Sequence, residues 1–176
     1  MFNVSCNDFF LKTKIIEALN QKFFLFNEND DQNSIGYLDI LVNSSFLIFS
    51  IQEKKFKMHL PIYFDTFYKQ ITRMLSDFEA KIGDIIYIPT KYHLTYRDKY
   101  LKLTNIQNMI LSHMLMNLEH GMPKNSLYKK LWPNDKEISI NKLDTHLTNL
   151  KNDFETKFGQ NLNLVSSKGN IRLIIN

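Results

Sequence analysis

The chain has 176 residues, 44% of them hydrophobic, a single cysteine and a formal net charge of +4. That length holds one large domain or two small ones with real cores. One cysteine excludes an internal disulfide and fits a reducing compartment. No apolar run approaches the ~18–20 residues of a membrane span, and the N-terminus shows no basic stretch followed by an apolar run of the secretory kind, so a cytoplasmic protein is expected. The charge is uneven. Residues 99–176 carry eleven Lys/Arg against six Asp/Glu, or +5, whereas residues 1–98 carry eleven against twelve, or −1. The basic half is therefore where an acidic partner such as nucleic acid is sought.

Residues 2–6 read as a short strand, and Asn7 or Asp8 as the cap of a helix with Phe10, Ile15, Ile16 and Leu19 on one side. Residues 23–26 read as a buried strand and residues 27–34, with Asp30 and Asp31, as a polar loop. Residues 37–42, 46–51 and 54–59 are β-rich runs, the last ending at Leu60-Pro61. Residues 63–78 return to helical spacing, with Phe64, Phe67, Ile71, Met74, Leu75 and Phe78 inward. The order β-α-β, strands, α predicts a small α/β domain over residues 1–80.

After Gly83, residues 85–88, 93–96 and 100–103 read as short strands joined by turns at 89–91 and 97–99. Thr104 or Asn105 caps a helix from 106 to about 119, which Gly121 ends. A second helix spans 124–132, and residues 133–137 form a loop. Ser139 caps a third helix whose apolar residues Leu143, Leu147, Leu150 and Phe154 have the 4-3-4 spacing of one face. Its other face carries Asn141, Lys142, Thr145, His146, Thr148, Asn149, Lys151 and Asn152. These are short hydrogen-bonding groups and two lysines, the residue types that contact base edges and phosphates. Residues 162–166 and 171–175 are strands around Ser167-Lys168-Gly169-Asn170, where Lys168 at the tip and Arg172 supply further cations.

Three helices, a loop before the third and a terminal hairpin make a winged helix, and the details resemble the OmpR/PhoB family of bacterial response-regulator effector domains. A small antiparallel sheet precedes the helices, as in that family. Leu103-Thr104 is similar to its Leu-Thr helix start, and Leu131-Trp132 to the apolar-Trp end of its second helix. Leu143-Asp144-Thr145-His146-Leu147-Thr148-Asn149-Leu150-Lys151 resembles its V-D-V-H-I-x-x-L-R. The resemblance covers residues 84–176. The family's arginines in this helix appear here as Asn149 and Lys151, and its R-G-x-G-Y-x-L wing as Lys168-Gly169-Asn170-Ile171-Arg172-Leu173, one residue shorter. The resemblance implies an α+β winged helix-turn-helix domain that binds double-stranded DNA. Homodimers through the N-terminal domain are expected from the 63–78 helix, where Tyr63, Tyr68 and Met74 add apolar area to a full inward stripe unless they pack against residues 37–51. Contact with RNA polymerase through the 133–137 loop and nucleoid association are further expectations.

In that family a phosphorylatable receiver precedes the winged helix. Residues 1–80 resemble a reduced α/β receiver. Leu60-Pro61-Ile62 stands where the family has Lys-Pro-Phe. The acidic pair after the first strand falls near Cys6-Asn7, leaving Asp8, and the acceptor aspartate falls at Asn43-Ser44. Without those acids phosphoryl transfer has neither metal nor nucleophile, so an atypical regulator acting without aspartyl phosphorylation is expected.

Each feature has a plainer reading. Trp132 reads as core packing and Asp144 as structural. The five histidines show no metal spacing, and no catalytic constellation appears, so no cofactor, metal or enzymatic activity is expected. The competing function is a protein-interaction module in which either domain docks a protein partner. The basic half and polar third helix favour DNA; the lost arginines and short wing favour docking.

Overall fold

The computed structural model describes residues 2–23, 26–27, 36–51 and 54–174. The chain divides into two compact units, Met1–Phe78 and Glu79–Asn176.

The first unit runs β1 (Phe2–Cys6), α1 (Phe9–Phe23), β2 (Phe26–Asn27), β3 (Gly36–Val42), β4 (Phe46–Ile51), β5 (Lys54–His59) and α2 (Phe64–Ser76). The sheet order is β2-β1-β3-β4-β5. Only β1 pairs in parallel, with β2 and β3; β3-β4-β5 is an antiparallel meander. Asn43 closes the first hairpin by accepting from the backbone N–H of Ser45 and Phe46. The alternation in β3 and β4 buries Leu38, Ile40, Leu47, Phe49 and Ile51 on one face. Phe67 of α2 meets Phe49 edge-on at 5.4 Å. Tyr68 of α2 donates from its hydroxyl to the Ala18 carbonyl of α1 at 3.1 Å. The opposite face leaves Tyr37, Asp39 and Leu41 in solvent.

Two side chains expected inward in this unit are not. Phe10 is 73% exposed. At about 100° per residue it lies roughly 140° from Ile15 and 180° from Leu19 around the helix, off the stripe that Ile15, Ile16 and Leu19 bury. Phe64, in the first turn of α2, is also exposed. Phe78 is buried against the Phe2 ring at 4.4 Å, but beyond the helix end at Ser76. The expected strand at 23–26 gives way to helix through Phe23, with strand at Phe26–Asn27; Phe24, Leu25, Asp30 and Asp31 lie outside the described residues.

The second unit opens with an antiparallel meander, β6 (Ala80–Ile82), β7 (Ile85–Ile88), β8 (His93–Tyr96) and β9 (Lys99–Lys102). Then come α3 (Asn105–Met116), β10 (Met122–Pro123), α4 (Lys124–Leu131), α5 (Ile140–Phe158), β11 (Leu164–Ser167) and β12 (Asn170–Leu173). The sheet β10-β12-β11 carries the terminal hairpin. Thr104 and Gln107 form a reciprocal capping box at the start of α3. Leu111, Met114, Leu127, Leu143, Leu147 and Leu150 are buried among the three helices. The buried Tyr87 hydroxyl bonds the Asn108 carboxamide oxygen and Ser112, both at 2.7 Å, joining the meander to α3. Gly121 must be glycine. Its φ is +66°, and a Cβ there would lie 2.5 Å from the Ile171 carbonyl oxygen. Helices α3–α5 with this hairpin, behind a four-stranded sheet, have the architecture of a winged helix.

Candidate nucleic-acid interface

Helix α5 buries Leu143, Leu147, Leu150, Phe154 and Phe158, the expected seam plus one further turn. Asn141, Thr145, Thr148, Asn149 and Asn152 are exposed on the reverse side. At 100° per residue these five fall within an arc of about 100°. Lys142 and His146 flank that arc on one side and Lys151 on the other, all three half-buried. The Thr145 hydroxyl donates to the Asn141 carbonyl at 2.9 Å, which leaves its lone pairs facing out. Ser139 occupies the N-cap, but its side chain makes no capping bond; its carbonyl accepts from the backbone of Lys142 and Leu143 instead.

Lys142 is not a free cation. Its Nζ donates to Asp135 Oδ2 at 2.9 Å and lies 4.2 Å above the Trp132 ring. Tyr128 donates to the same carboxylate oxygen at 2.5 Å. Trp132 is half-buried rather than sunk in the core, with Tyr128 at 4.7 Å and His146 at 5.5 Å from its ring centre. Hydrogen bonds from Tyr128 and then Lys142 hold the Asp135 carboxyl below the usual range, and the bond to Asp135 raises the Tyr128 phenol. Asp144, expected to be structural, accepts from Lys124 Nζ at 2.5 Å.

The wing turns on Lys168 (φ 48°) and Gly169 (φ 78°), both left-handed, as two-residue type I′ hairpins require. Lys168 is exposed at the tip. Arg172 pairs across from Val165 and points outward, opposite the buried Ile171 and Leu173. The tip is anchored, because the Lys124 backbone N–H donates to the Gly169 carbonyl at 2.8 Å. Lys124 thus holds the wing by its backbone and α5 by its side chain.

The structure brings Asn141, Thr145, Thr148, Asn149 and Asn152 onto one solvent face, and places Lys168 and Arg172 on the hairpin. Sequence reasoning missed Asp135, Lys124 and the exposed part of Trp132. Periodicity carries no signal for contacts that a loop makes.

At the C-terminal end of β1 and β3, Asn7 grips Val42 through both its amide atoms, each at 2.8 Å, and Asp8 accepts from the Leu11 backbone N–H as the cap of α1. Among the described residues, no group of three His, Cys, Asp or Glu side chains is placed to hold a metal ion, and no helix is long and apolar enough to cross a membrane.

No family model matches the chain, and no curated protein matches it. Among solved structures it is similar to the DNA-binding domain of E. coli CadC, with 10% identity over 55% of this chain and 91% of that one, TM-score 0.48. It is similar also to the C-terminal domain of the nisin resistance regulator NsrR, a lantibiotic response regulator: 29% identity, 53% and 93% coverage, TM-score 0.44. A point mutant of RitR aligns with all of this chain at 8% identity and TM-score 0.47, and the chain spans 65% of its length.

Proposed function

We propose that the chain is a DNA-binding transcriptional regulator whose second unit reads duplex DNA through α5. The observation that carries this reading is the exposed arc of short hydrogen-bonding side chains Asn141, Thr145, Thr148, Asn149 and Asn152, bordered by Asp144 and Glu155 on the Lys151 side and mounted on a helix locked by five buried residues. Asn149 is suited to bidentate bonds to adenine. Lys151, Lys168 and Arg172 supply phosphate contacts, and Lys142 and His146 line the flank of the arc. Titrating the full chain onto labelled duplex at several salt concentrations tests this. A steep loss of affinity with salt supports it; no binding at low salt ends it.

The first unit, on this reading, is a reduced receiver that works without aspartyl phosphorylation. Asn43 stands at the acceptor position and spends its carboxamide oxygen on the β3-β4 hairpin. Asn7 stands at the metal-binding position and is committed to Val42. Acid-labile phosphate on the chain after incubation with a small phosphodonor would refute this. The unit then serves as the homodimer contact, in a regulator that is cytoplasmic and nucleoid-associated. The 133–137 loop remains the candidate contact for RNA polymerase. The docking-module alternative draws support from Lys142 and Lys124, whose charges Asp135 and Asp144 already answer.

A further inference from the structure

We infer that two copies of this chain pair face to face through the bare side of the β3-β4-β5 meander, with a two-fold axis running along β4. The inference rests on the reading that the first unit self-associates, and it names the surface. The apolar surplus of residues 63–78 points to α2 through Tyr63, Tyr68 and Met74, of which Tyr63, at the N-cap, is 86% exposed. Met74 is only 4% exposed, and the Tyr68 hydroxyl is spent on Ala18. Beyond the first turn, the exposed residues of α2 are Lys69 and Arg73.

The meander offers a better surface. Its bare side shows Tyr37 (49% exposed), Asp39 and Leu41 (53%) on β3, Phe46, Ile48 and Ser50 on β4, and Lys55 and Lys57 on β5. Lys57 Nζ lies 3.9 Å over the Phe46 ring, which fixes both on this side. The strand register then decides the occupant. Asp39 pairs with Ser50, and Ser50 with Lys55, so acid and base lie in one row at equal distances from β4. Leu41, Ile48 and Lys57 form the next row. Rotation about an axis along β4 exchanges β3 with β5 within each row. Asp39 of each copy then meets Lys55 of the other. Leu41 meets the aliphatic stem of Lys57, while Ile48 and Phe46 meet their own counterparts. An isologous contact needs this self-complementarity, and sheets pack face to face within about 30° of alignment. Three strands about 4.8 Å apart give less than the ~800 Å² per partner of a standard interface. The free dimer is therefore weak, and joint binding to one DNA completes it.

Sedimentation equilibrium of the full chain, free and on a two-site duplex, tests the inference. Asp39→Lys alone and Lys55→Asp alone each place like charges opposite one another twice, and each should weaken the dimer about tenfold or more. An equimolar mixture of the two variants makes both contacts complementary again, so it should associate like the original chain. Unchanged helical content and unchanged amide chemical-shift dispersion of the first unit in each variant exclude misfolding. Dimers untouched by either reversal, or a mixture that fails to recover, overturn this surface while leaving self-association standing. A chain monomeric at tens of micromolar, both free and on DNA, overturns self-association itself and this inference with it.

Discussion

Asp135, in the loop before α5, holds Lys142 at 2.9 Å while accepting a second bond from Tyr128. The nearest cation to the N-terminal end of the α5 arc is therefore neutralised by a carboxylate seven residues upstream. A phosphate approaching Lys142 competes with that carboxylate. Asp135→Asn should raise DNA affinity several-fold and steepen the salt dependence by about one unit, because one more cation becomes available to a phosphate. Lys142→Ala in the parent chain should change the slope by less than Lys151→Ala, which should flatten it by about one unit. Anisotropy titrations from low to moderate salt measure all three. A larger effect from Lys142→Ala than from Lys151→Ala would show that Asp135 yields freely.

Asn149 and Thr148 occupy the outer arc of α5 without structural duties: neither side chain makes a hydrogen bond to another described residue. Asn149→Ala should cost about 1–3 kcal/mol of discrimination at one base position and leave thermal stability unchanged. A selection from random duplexes, run on the parent and the variant, checks this. An identical consensus from both would remove Asn149 from the reading surface.

The α5 seam was legible because 4-3-4 spacing is a property of consecutive residues, and the structure buries Leu143, Leu147, Leu150 and Phe154. The wing turn was legible because Lys168-Gly169 sits between two apolar runs. Phe10 shares the apolar character of Ile15, Ile16 and Leu19 but not their angular phase, and it lies in solvent. Strand β6 was invisible because Ala80-Lys81-Ile82 is too short to show alternation; its pairing with β7 defines it. The runs of β3, β4 and β5 were visible, but not that hairpins make them antiparallel. Trp132 has the size of a core residue but stays half-buried. The shelf it makes with Lys142 and His146 depends on where the loop returns, which no local pattern encodes.

The wing presents two cations, Lys168 and Arg172, with the exposed carboxamide of Asn170 beside its tip. Replacing both Lys168 and Arg172 with Ala should weaken binding by a similar factor on every sequence and flatten the salt slope by up to about two units. Site preference should persist, since phosphate contacts position a protein without reading sequence. Competition between specific and random duplexes separates the two effects. A lost preference with unchanged total affinity would mean that the hairpin reads bases.

His113 is 5% exposed within α3, and its Nδ1 is buried without a hydrogen-bond partner. Burial, helped by the positive charge of Lys130, lowers its pKa from 6.5 to about 3. The folded unit thus keeps the ring neutral at a pH where the unfolded chain protonates it. Between about pH 6.5 and pH 3 the unfolded state binds more protons, so stability rises with pH across that window and is lost on acidification. At about 1.4 kcal/mol per unit, the full loss is of order 4–5 kcal/mol, and roughly half of it falls above pH 5. Trp132 is the chain's single tryptophan and lies in the second unit, so its emission follows that unit alone during urea unfolding. The midpoint should fall clearly between pH 7 and pH 5 in the parent chain. His113→Leu, similar in volume and unable to titrate, should flatten that dependence while keeping the fold. A midpoint that falls as steeply in His113→Leu as in the parent would assign the acid sensitivity to other groups.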